Sequence, residues 1–142
     1  MIIKFTVVGN PIAKGRPKFC RKGNFVGTYT PKKTKDHEES VLMQALPHKP
    51  EKPIDGPIKL TMVFYMSIPV SLSKKKREMA ISGELKPTKR PDLDNLAKVI
   101  DPLNKVMWVD DSLIVEQYIE KVYSENPRTE IIIESLSKEN KK

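Results

Sequence analysis

Apolar and polar residues alternate along parts of the chain with the two-residue period of a β-strand, in which successive side chains point to opposite faces. Near the N-terminus, for example, Ile3, Phe5 and Val7 alternate with Lys4 and Thr6. A longer alternating stretch begins at residue 58, and β-branched residues mark two later stretches. The predicted strands are residues 2–9, 58–68, 113–123 and 128–136.

Apolar side chains spaced three and four residues apart predict helices elsewhere. Residues 32–46 carry such a stripe, and Thr34 or Asp36 could cap the start of this helix. The segment SLSKKKREMAIS predicts a short basic helix capped by Ser71 or Ser73.

A third helix is predicted from residue 93 onward. Its apolar residues fall at i, i+3, i+4, i+7 and i+10, and they are Leu96, Val99, Ile100, Leu103 and Val106. Pro102 interrupts this helix because proline cannot donate a backbone hydrogen bond to the preceding turn. We therefore expect a kink, or a second helix with Asp101 as its N-cap.

Strands and helices intermix without regular βαβ alternation, which predicts an α+β fold with a mixed β-sheet and packed helices. A length of 142 residues suits one domain, spanning residues 1–142. Within this domain, residues 10–31 are predicted to be a long basic loop of functional importance. Residues 137–142 are predicted to be a frayed tail.

Composition limits where such a protein can work. No apolar run approaches the roughly 18 residues needed to span a bilayer, so we expect no membrane partner. The single cysteine, Cys20, cannot form an internal disulfide, which agrees with a reducing cytoplasm.

The net charge of +8 is concentrated at the N-terminus, where residues 1–35 hold nine Lys or Arg and no acidic residue. A solvated, solubilising surface would explain one such run. A second run favours a polyanionic partner, because phosphate backbones bind basic patches by releasing counterions. This second run comprises Lys74, Lys75, Lys76, Arg77, Lys86, Lys89 and Arg90.

The acidic residues between positions 85 and 115 are all aspartates. Five of the seven aspartates lie in this window, and none of the eleven glutamates does. Aspartate loses less conformational entropy than glutamate when several carboxylates converge on a cation. Mg²⁺ prefers such oxygen ligands and completes its shell with water and phosphate. The five residues are Asp92, Asp94, Asp101, Asp110 and Asp111.

Each aspartate also has a structural interpretation. Asp92 or Asp94 could cap the helix that begins there, although two carboxylates at one cap repel each other unless a cation offsets them. Asp101 could be a local cap or an ion-pair partner of Lys98 or Lys105, and we leave it out of the metal site. Asp110 and Asp111 could form a turn, and only one of the two is expected to reach a metal.

Other chemically notable residues have simpler interpretations. Trp108 is expected to be a core anchor rather than a base-stacking residue. Lys98 lies one turn after Asp94, so it could form a surface ion pair or contact a phosphate beside the metal. His37 and His48 are interpreted as ordinary surface histidines.

The segment RPDLDNLAKVIDPLNKVMWVDDSLI resembles the core motif of the RusA family of Holliday junction resolvases. That motif reads Asp-x-Asp-Asn-Leu-x-Lys, then Asp-x-Leu, and then Asp-Asp after an aromatic residue. The N-terminal GNPIAKGRPKF and YTPKKT are also similar to the opening of many members. Pro102 in the motif helix is a departure from the family pattern.

The resemblance implies an Mg²⁺-dependent endodeoxyribonuclease that acts as a homodimer on four-way DNA junctions and cuts them by paired, symmetric nicks. The implied catalytic residues are Asp92, Asp94, Asp111 and Lys98, with Asp110 as a further metal-site candidate. The two metal roles would be activation of a water and stabilisation of the leaving oxygen. The expected DNA contacts are Lys14, Arg16, Lys18, Arg21, Lys22, Lys74, Lys75, Lys76, Arg77, Lys89 and Arg90.

Two other functions stay open at this point. One is a nuclease for flaps or other branched DNA without a preference for junctions. The other is a non-catalytic nucleic-acid-binding module, in which the aspartates would only cap helices and form turns. Dependence of cleavage on a divalent metal separates the enzymes from the binding module.

Overall fold

A four-stranded mixed sheet organises the protein in the computed structural model, which describes residues 1–15, 18–23, 25–29 and 31–137. The helices of this described part are α1 (Lys32–Ala45), α2 (Lys74–Ser82) and α3 (Leu93–Leu96). Its strands are β1 (Ile2–Val8), β2 (Lys18–Lys22), β3 (Phe25–Tyr29), β4 (Ile58–Ser67), β5 (Ile114–Ser124) and β6 (Arg128–Ser135). The predicted α+β fold with a mixed sheet, in a single domain, is confirmed.

The large sheet has the strand order β1-β6-β4-β5. Strand β6 pairs antiparallel with both β1 and β4, whereas β5 runs parallel beside β4. In β4 the side chains of Ile58, Leu60, Met62 and Phe64 are all buried, and their neighbours are half-buried. The two-residue period in the sequence thus places the apolar face of the sheet against the core.

Helix α1 packs against β1 and begins one residue after Pro31. The predicted cap by Thr34 or Asp36 is wrong, because Pro31 holds the N-cap position and no side chain caps the helix. The Thr34 hydroxyl instead accepts a hydrogen bond from the Gly15 backbone N–H at 2.8 Å. A Cβ at Gly15 would lie 2.6 Å from the Thr34 Oγ1, so glycine is required for this close approach.

Helix α2 confirms the predicted short basic helix. Ser73 is its N-cap, and the Ser73 hydroxyl accepts a hydrogen bond from the Lys76 N–H at 3.3 Å. The helix ends at Ser82 and is followed by the C-cap Gly83, whose φ of 89° is in the left-handed region that terminates helices.

The predicted third helix is shorter than its apolar spacing suggests. The α-helix ends at Leu96, and a 3₁₀-helix continues from Ala97 to Leu103 with Pro102 inside it. Neither a long kinked helix nor a restart capped by Asp101 is present, because the chain tightens to 3₁₀ winding before it reaches the proline. Leu96, Val99 and Leu103 are nevertheless buried, so the spacing identified the core side chains correctly.

The predicted long loop over residues 10–31 is wrong in part, because β2 and β3 pair antiparallel and form a hairpin within it. The sequence signal for this hairpin is the Gly23-Asn24 pair, since two such residues between short strands favour a tight turn. Gly23 has a φ of 59°, which such turns require. Residues 16, 17, 24 and 30 lie outside the described part, as does the predicted frayed tail from residue 138.

No helix of the described part is long and apolar enough to cross a membrane.

Candidate active site

An open cleft of about 490 Å³ lies beside α3 and brings acidic and basic side chains together. Two of the predicted catalytic aspartates and the predicted catalytic lysine line it. The lining residues are Lys14, Gly15, Asp92, Asp94, Asn95, Lys98 and Asp101. The cleft therefore joins the N-terminal segment to the segment that carries the aspartate-rich motif.

Helix α3 presents the two aspartates at its first turn. Asp92 holds the N-cap position, and its carbonyl accepts hydrogen bonds from the N–H groups of Asn95 and Leu96 at 3.1 and 3.0 Å. The Asp92 carboxylate makes no capping hydrogen bond, and Asp94 lies in the first turn. The interpretation of either side chain as a simple cap is therefore wrong, and both carboxylates line the exposed cleft.

Asp101 belongs to the same cleft, although the sequence interpretation left it out of the metal site. The Lys14 ammonium donates a hydrogen bond to Asp101 Oδ2 at 2.8 Å, so the local partner of Asp101 is neither Lys98 nor Lys105. The hydrogen bond to Asp101 raises the pKa of Lys14, and burial opposes this shift. Because Lys14 lies 87 residues before Asp101, sequence spacing gave no signal for the pair.

Lys98 is exposed and lines the cleft with Asp94. Within residues 31–137 no ion pair joins the two side chains, so the interpretation of Lys98 as the i, i+4 partner of Asp94 is wrong. Its ammonium can thus face an anion in the cleft.

Asp110 forms a turn ahead of β5, as one of the two sequence interpretations predicts. Its carboxylate accepts a hydrogen bond from the Ser112 N–H at 3.0 Å and caps the 3₁₀ turn Asp111–Leu113. Lys105 Nζ lies 3.4 Å from the same carboxylate. The hydrogen bonds to Ser112, followed by the one to Lys105, lower the pKa of Asp110.

Asp111 is held by the tryptophan of the motif. Trp108 is fully buried, which confirms the predicted core anchor, and its indole Nε1–H donates a hydrogen bond to Asp111 Oδ1 at 2.7 Å. Backbone hydrogen bonds between Ile54 and residues 107 and 109, each 3.0 Å long, fix the chain around Trp108. Asp111 itself is exposed and does not line the cleft of Asp92 and Asp94.

Hard oxygen donors in the cleft suit Mg²⁺. Asp92, Asp94 and the Asn95 amide supply such donors, and Mg²⁺ in nucleic-acid enzymes takes one or two carboxylates with waters and phosphate completing its shell. Among the described residues, no three Asp, Glu, His or Cys side chains are close enough to hold a metal ion. The three-carboxylate site with Asp111 stays a prediction.

The predicted DNA contacts lie on several segments, and of these residues Lys14 lines the cleft. Lys89 and Arg90 are exposed in the loop directly before Asp92. On α2, Lys74, Lys75 and Lys76 are exposed, whereas Arg77 is half-buried and lies 3.8 Å from Glu125. Arg21 is exposed on β2. The side chains of Lys18 and Lys22, and the whole of Arg16, lie outside the described part.

The fold and the cleft define a small α+β protein with an acidic, lysine-rimmed site on a basic chain, a combination suited to a phosphodiester substrate. The chain belongs to the RusA family, because the family model described as "Endodeoxyribonuclease RusA" matches residues 9–134. This membership supports the predicted class of enzyme, an endodeoxyribonuclease that acts on DNA junctions. The chain is also 43% identical over 138 residues to the uncharacterized protein YqaN of Bacillus subtilis strain 168, covering 95% of this chain and 97% of that protein.

Proposed function

We propose that the protein is an Mg²⁺-dependent endonuclease that resolves four-way DNA junctions by paired, symmetric nicks. The observation that carries this proposal is the cleft in which Asp92 and Asp94 face the same space as Lys14 and Lys98. A phosphodiester and a divalent cation carry opposite charges, and this cleft offers groups of both signs at short range.

The acidic and the basic residues of the cleft would have different roles. Asp92 and Asp94 would hold Mg²⁺, which when bound supplies an activated water and offsets negative charge on the phosphate. Lys98 would donate hydrogen bonds to the non-bridging oxygens of the scissile phosphate, where charge increases in the transition state. Lys14, held nearby by Asp101, would contact the same phosphate or its neighbour.

Asp111 would be a third acidic group of the site, as the family motif implies. Its support in the structure is the hydrogen bond from Trp108, because carboxylates that bind metals are themselves oriented by a second layer of hydrogen bonds. Asp110 would serve mainly through the turn that positions Asp111.

Symmetric cleavage requires two sites with a fixed relationship, so we propose a homodimer with one cleft per subunit. Phosphates flanking the cut would bind the basic residues around the cleft, and these contacts position DNA without reading its sequence. The cytoplasm, where DNA and reducing conditions coincide in bacteria, is the proposed compartment.

The decisive experiment compares three labelled substrates, namely a four-way junction, a flap and a linear duplex, in Mg²⁺ and in EDTA. Paired nicks in the junction alone, present in Mg²⁺ and absent in EDTA, are expected. Equal cleavage of flap and junction would instead support a general branched-DNA nuclease. Junction binding without cleavage under any divalent ion would favour a non-catalytic binding module.

A further inference from the structure

Lys121 occupies a position in the sheet where an apolar residue would be expected. It lies on β5 directly beside Phe64 of β4, and side chains of paired neighbours point to the same face of a sheet. Phe64 is 1% exposed, and in the preceding pair on this face Met62 is buried and Ile119 packs against the core. In the following pair Met66 also packs against the core, so a lysine lies between apolar neighbours on this face.

The Lys121 ammonium is bound by two backbone carbonyls. It donates hydrogen bonds to the carbonyl oxygen of Pro91 at 2.8 Å and to that of Lys89 at 2.9 Å. Charge-assisted hydrogen bonds of this kind are shorter and stronger than those between neutral groups. Both acceptors belong to the loop that leads into α3, so Lys121 ties this loop to the sheet.

The position of the acceptors connects this tether to the cleft. The Pro91 carbonyl belongs to the peptide group whose nitrogen is that of Asp92, so the hydrogen bond restrains the peptide plane directly before Asp92. The same strand, β5, begins immediately after the 3₁₀ turn that contains Asp111. One strand therefore continues from the Asp111 turn and holds the start of the Asp92 segment.

We propose that Lys121 is a positioning residue, which fixes the direction in which Asp92 enters the cleft and thereby sets the affinity of the site for a divalent ion. This inference rests on the proposed function, because it assigns metal binding to Asp92. Lys121 itself is not among the residues that line the cleft. A purely structural lysine would instead affect the stability of the fold and leave metal affinity unchanged.

The experiment uses the full chain with Lys121→Met, which keeps the length of the side chain and removes the ammonium, and with Lys121→Arg, which keeps a cationic donor. Lys59→Met is the matched control, since Lys59 lies on the neighbouring strand β4 beside Glu116 and loses the same charge. Three quantities are measured: amide hydrogen exchange over residues 88–96 without metal, the dissociation constant of Mn²⁺, and the rate of junction cleavage at rising Mg²⁺.

We expect Lys121→Met to exchange its amides over residues 88–96 faster and to bind Mn²⁺ about tenfold more weakly, as loss of a supporting hydrogen bond does at metal sites. Half-maximal cleavage should require correspondingly more Mg²⁺, whereas junction binding without metal changes less than the Mn²⁺ affinity. Lys121→Arg should restore most of the loss, and Lys59→Met should resemble the unmodified protein. If Lys121→Met does not fold, Lys121→Gln replaces it, because its shorter, neutral side chain removes the ammonium and keeps a polar group at this half-buried position. The same weaker Mn²⁺ binding is expected of it.

Mn²⁺ affinity and cleavage by Lys121→Met equal to those of the unmodified protein would overturn the inference. This outcome differs from failure of the proposed function, in which the unmodified protein itself cleaves no junction with any divalent ion. In that second case the exchange and Mn²⁺ measurements still decide whether Lys121 positions Asp92.

Discussion

Lys14 and Asp101, 87 residues apart in the chain, form an ion pair of 2.8 Å, and both line the acidic cleft. Each side chain is about one third exposed. The pair brings a lysine from the N-terminal segment to within the same cleft as Asp94 and Lys98. Asp101 thus holds in place the ammonium that, under the proposed function, would contact a phosphate.

Replacing Lys14 with glutamine should weaken junction binding and reduce the slope of log affinity against log salt by about one, because one phosphate contact is lost. The change in the free energy of unfolding should stay below about 1 kcal/mol, as for other partly exposed ion pairs. Binding titrations at several salt concentrations measure the slope. The control for loss of charge alone is Lys35→Gln, because Lys35 is an exposed lysine of α1. An unchanged slope for Lys14→Gln would show that Lys14 does not contact the DNA.

The Lys14–Asp101 pair should also have a defined pH dependence. Because the folded pKa of Lys14 is raised above its ordinary value of 10.5, its contribution to stability is fully present below that value and is lost as pH rises through the raised pKa. The difference in unfolding free energy between the unmodified protein and Lys14→Gln should therefore be constant through neutral pH and shrink only in strong alkali. Urea titrations across the pH range measure it, and a difference that already falls near neutral pH would contradict the assignment.

Asp94→Asn should abolish cleavage and preserve binding. The substitution keeps the size of the side chain and removes the charge that would hold Mg²⁺, so we expect the cleavage rate to fall by at least about a hundredfold, more than loss of a supporting hydrogen bond costs. Gel-shift titration in Ca²⁺ or EDTA should give junction affinity close to that of the unmodified protein. The control variant Asp36→Asn, on the exposed face of α1, should cleave at the normal rate. Robust cleavage by Asp94→Asn would show that Asp94 is not a metal ligand.

Alternation of apolar and polar residues predicted β1 and β4 of the large sheet, whose buried side chains alternate along the strand. β-branched residues predicted β5 and β6, and β5 has no fully buried side chain and no two-residue burial pattern. The hairpin of β2 and β3 lies outside that sheet. Its prediction would have required the turn signal at Gly23-Asn24 rather than periodicity. Local hydrophobic patterns thus predict strands that pack on the core more reliably than strands that lie outside the main sheet.

The acidic part of the site was predictable because its residues are close together in sequence, with Asp92 and Asp94 on one helical turn. The contributions of Lys14, Asp101 and Lys121 depend on contacts between distant segments. These contacts form only when distant segments pack together. The motif therefore predicted the aspartates and the lysine of the cleft, but not the residues that hold them in place.

Trp108→Phe should separate the packing role of the tryptophan from its hydrogen bond to Asp111. Loss of a hydrogen bond to a charged group, together with the smaller ring, should lower the free energy of unfolding by about 2–4 kcal/mol. Cleavage by the folded protein should fall as well, because Asp111 is no longer oriented. Ile133→Val, in the same core, is the control: it should lose stability while cleavage per folded molecule is retained. Equal cleavage by Trp108→Phe and Ile133→Val, each corrected for folded fraction, would count against a role for Asp111.

The basic start of α2 should contribute to DNA binding without contributing to chemistry. Lys74, Lys75 and Lys76 are exposed on successive positions of the first turn, next to the Ser73 cap. Replacing all three with glutamine should reduce the slope of log affinity against log salt by up to about three and leave the cleavage rate at saturating junction unchanged. A triple variant of Lys49, Lys52 and Lys59 removes the same charge elsewhere and is the control. If both triple variants weaken binding equally, the effect is one of net charge, whereas a loss confined to the α2 variant identifies this helix as a phosphate-binding surface.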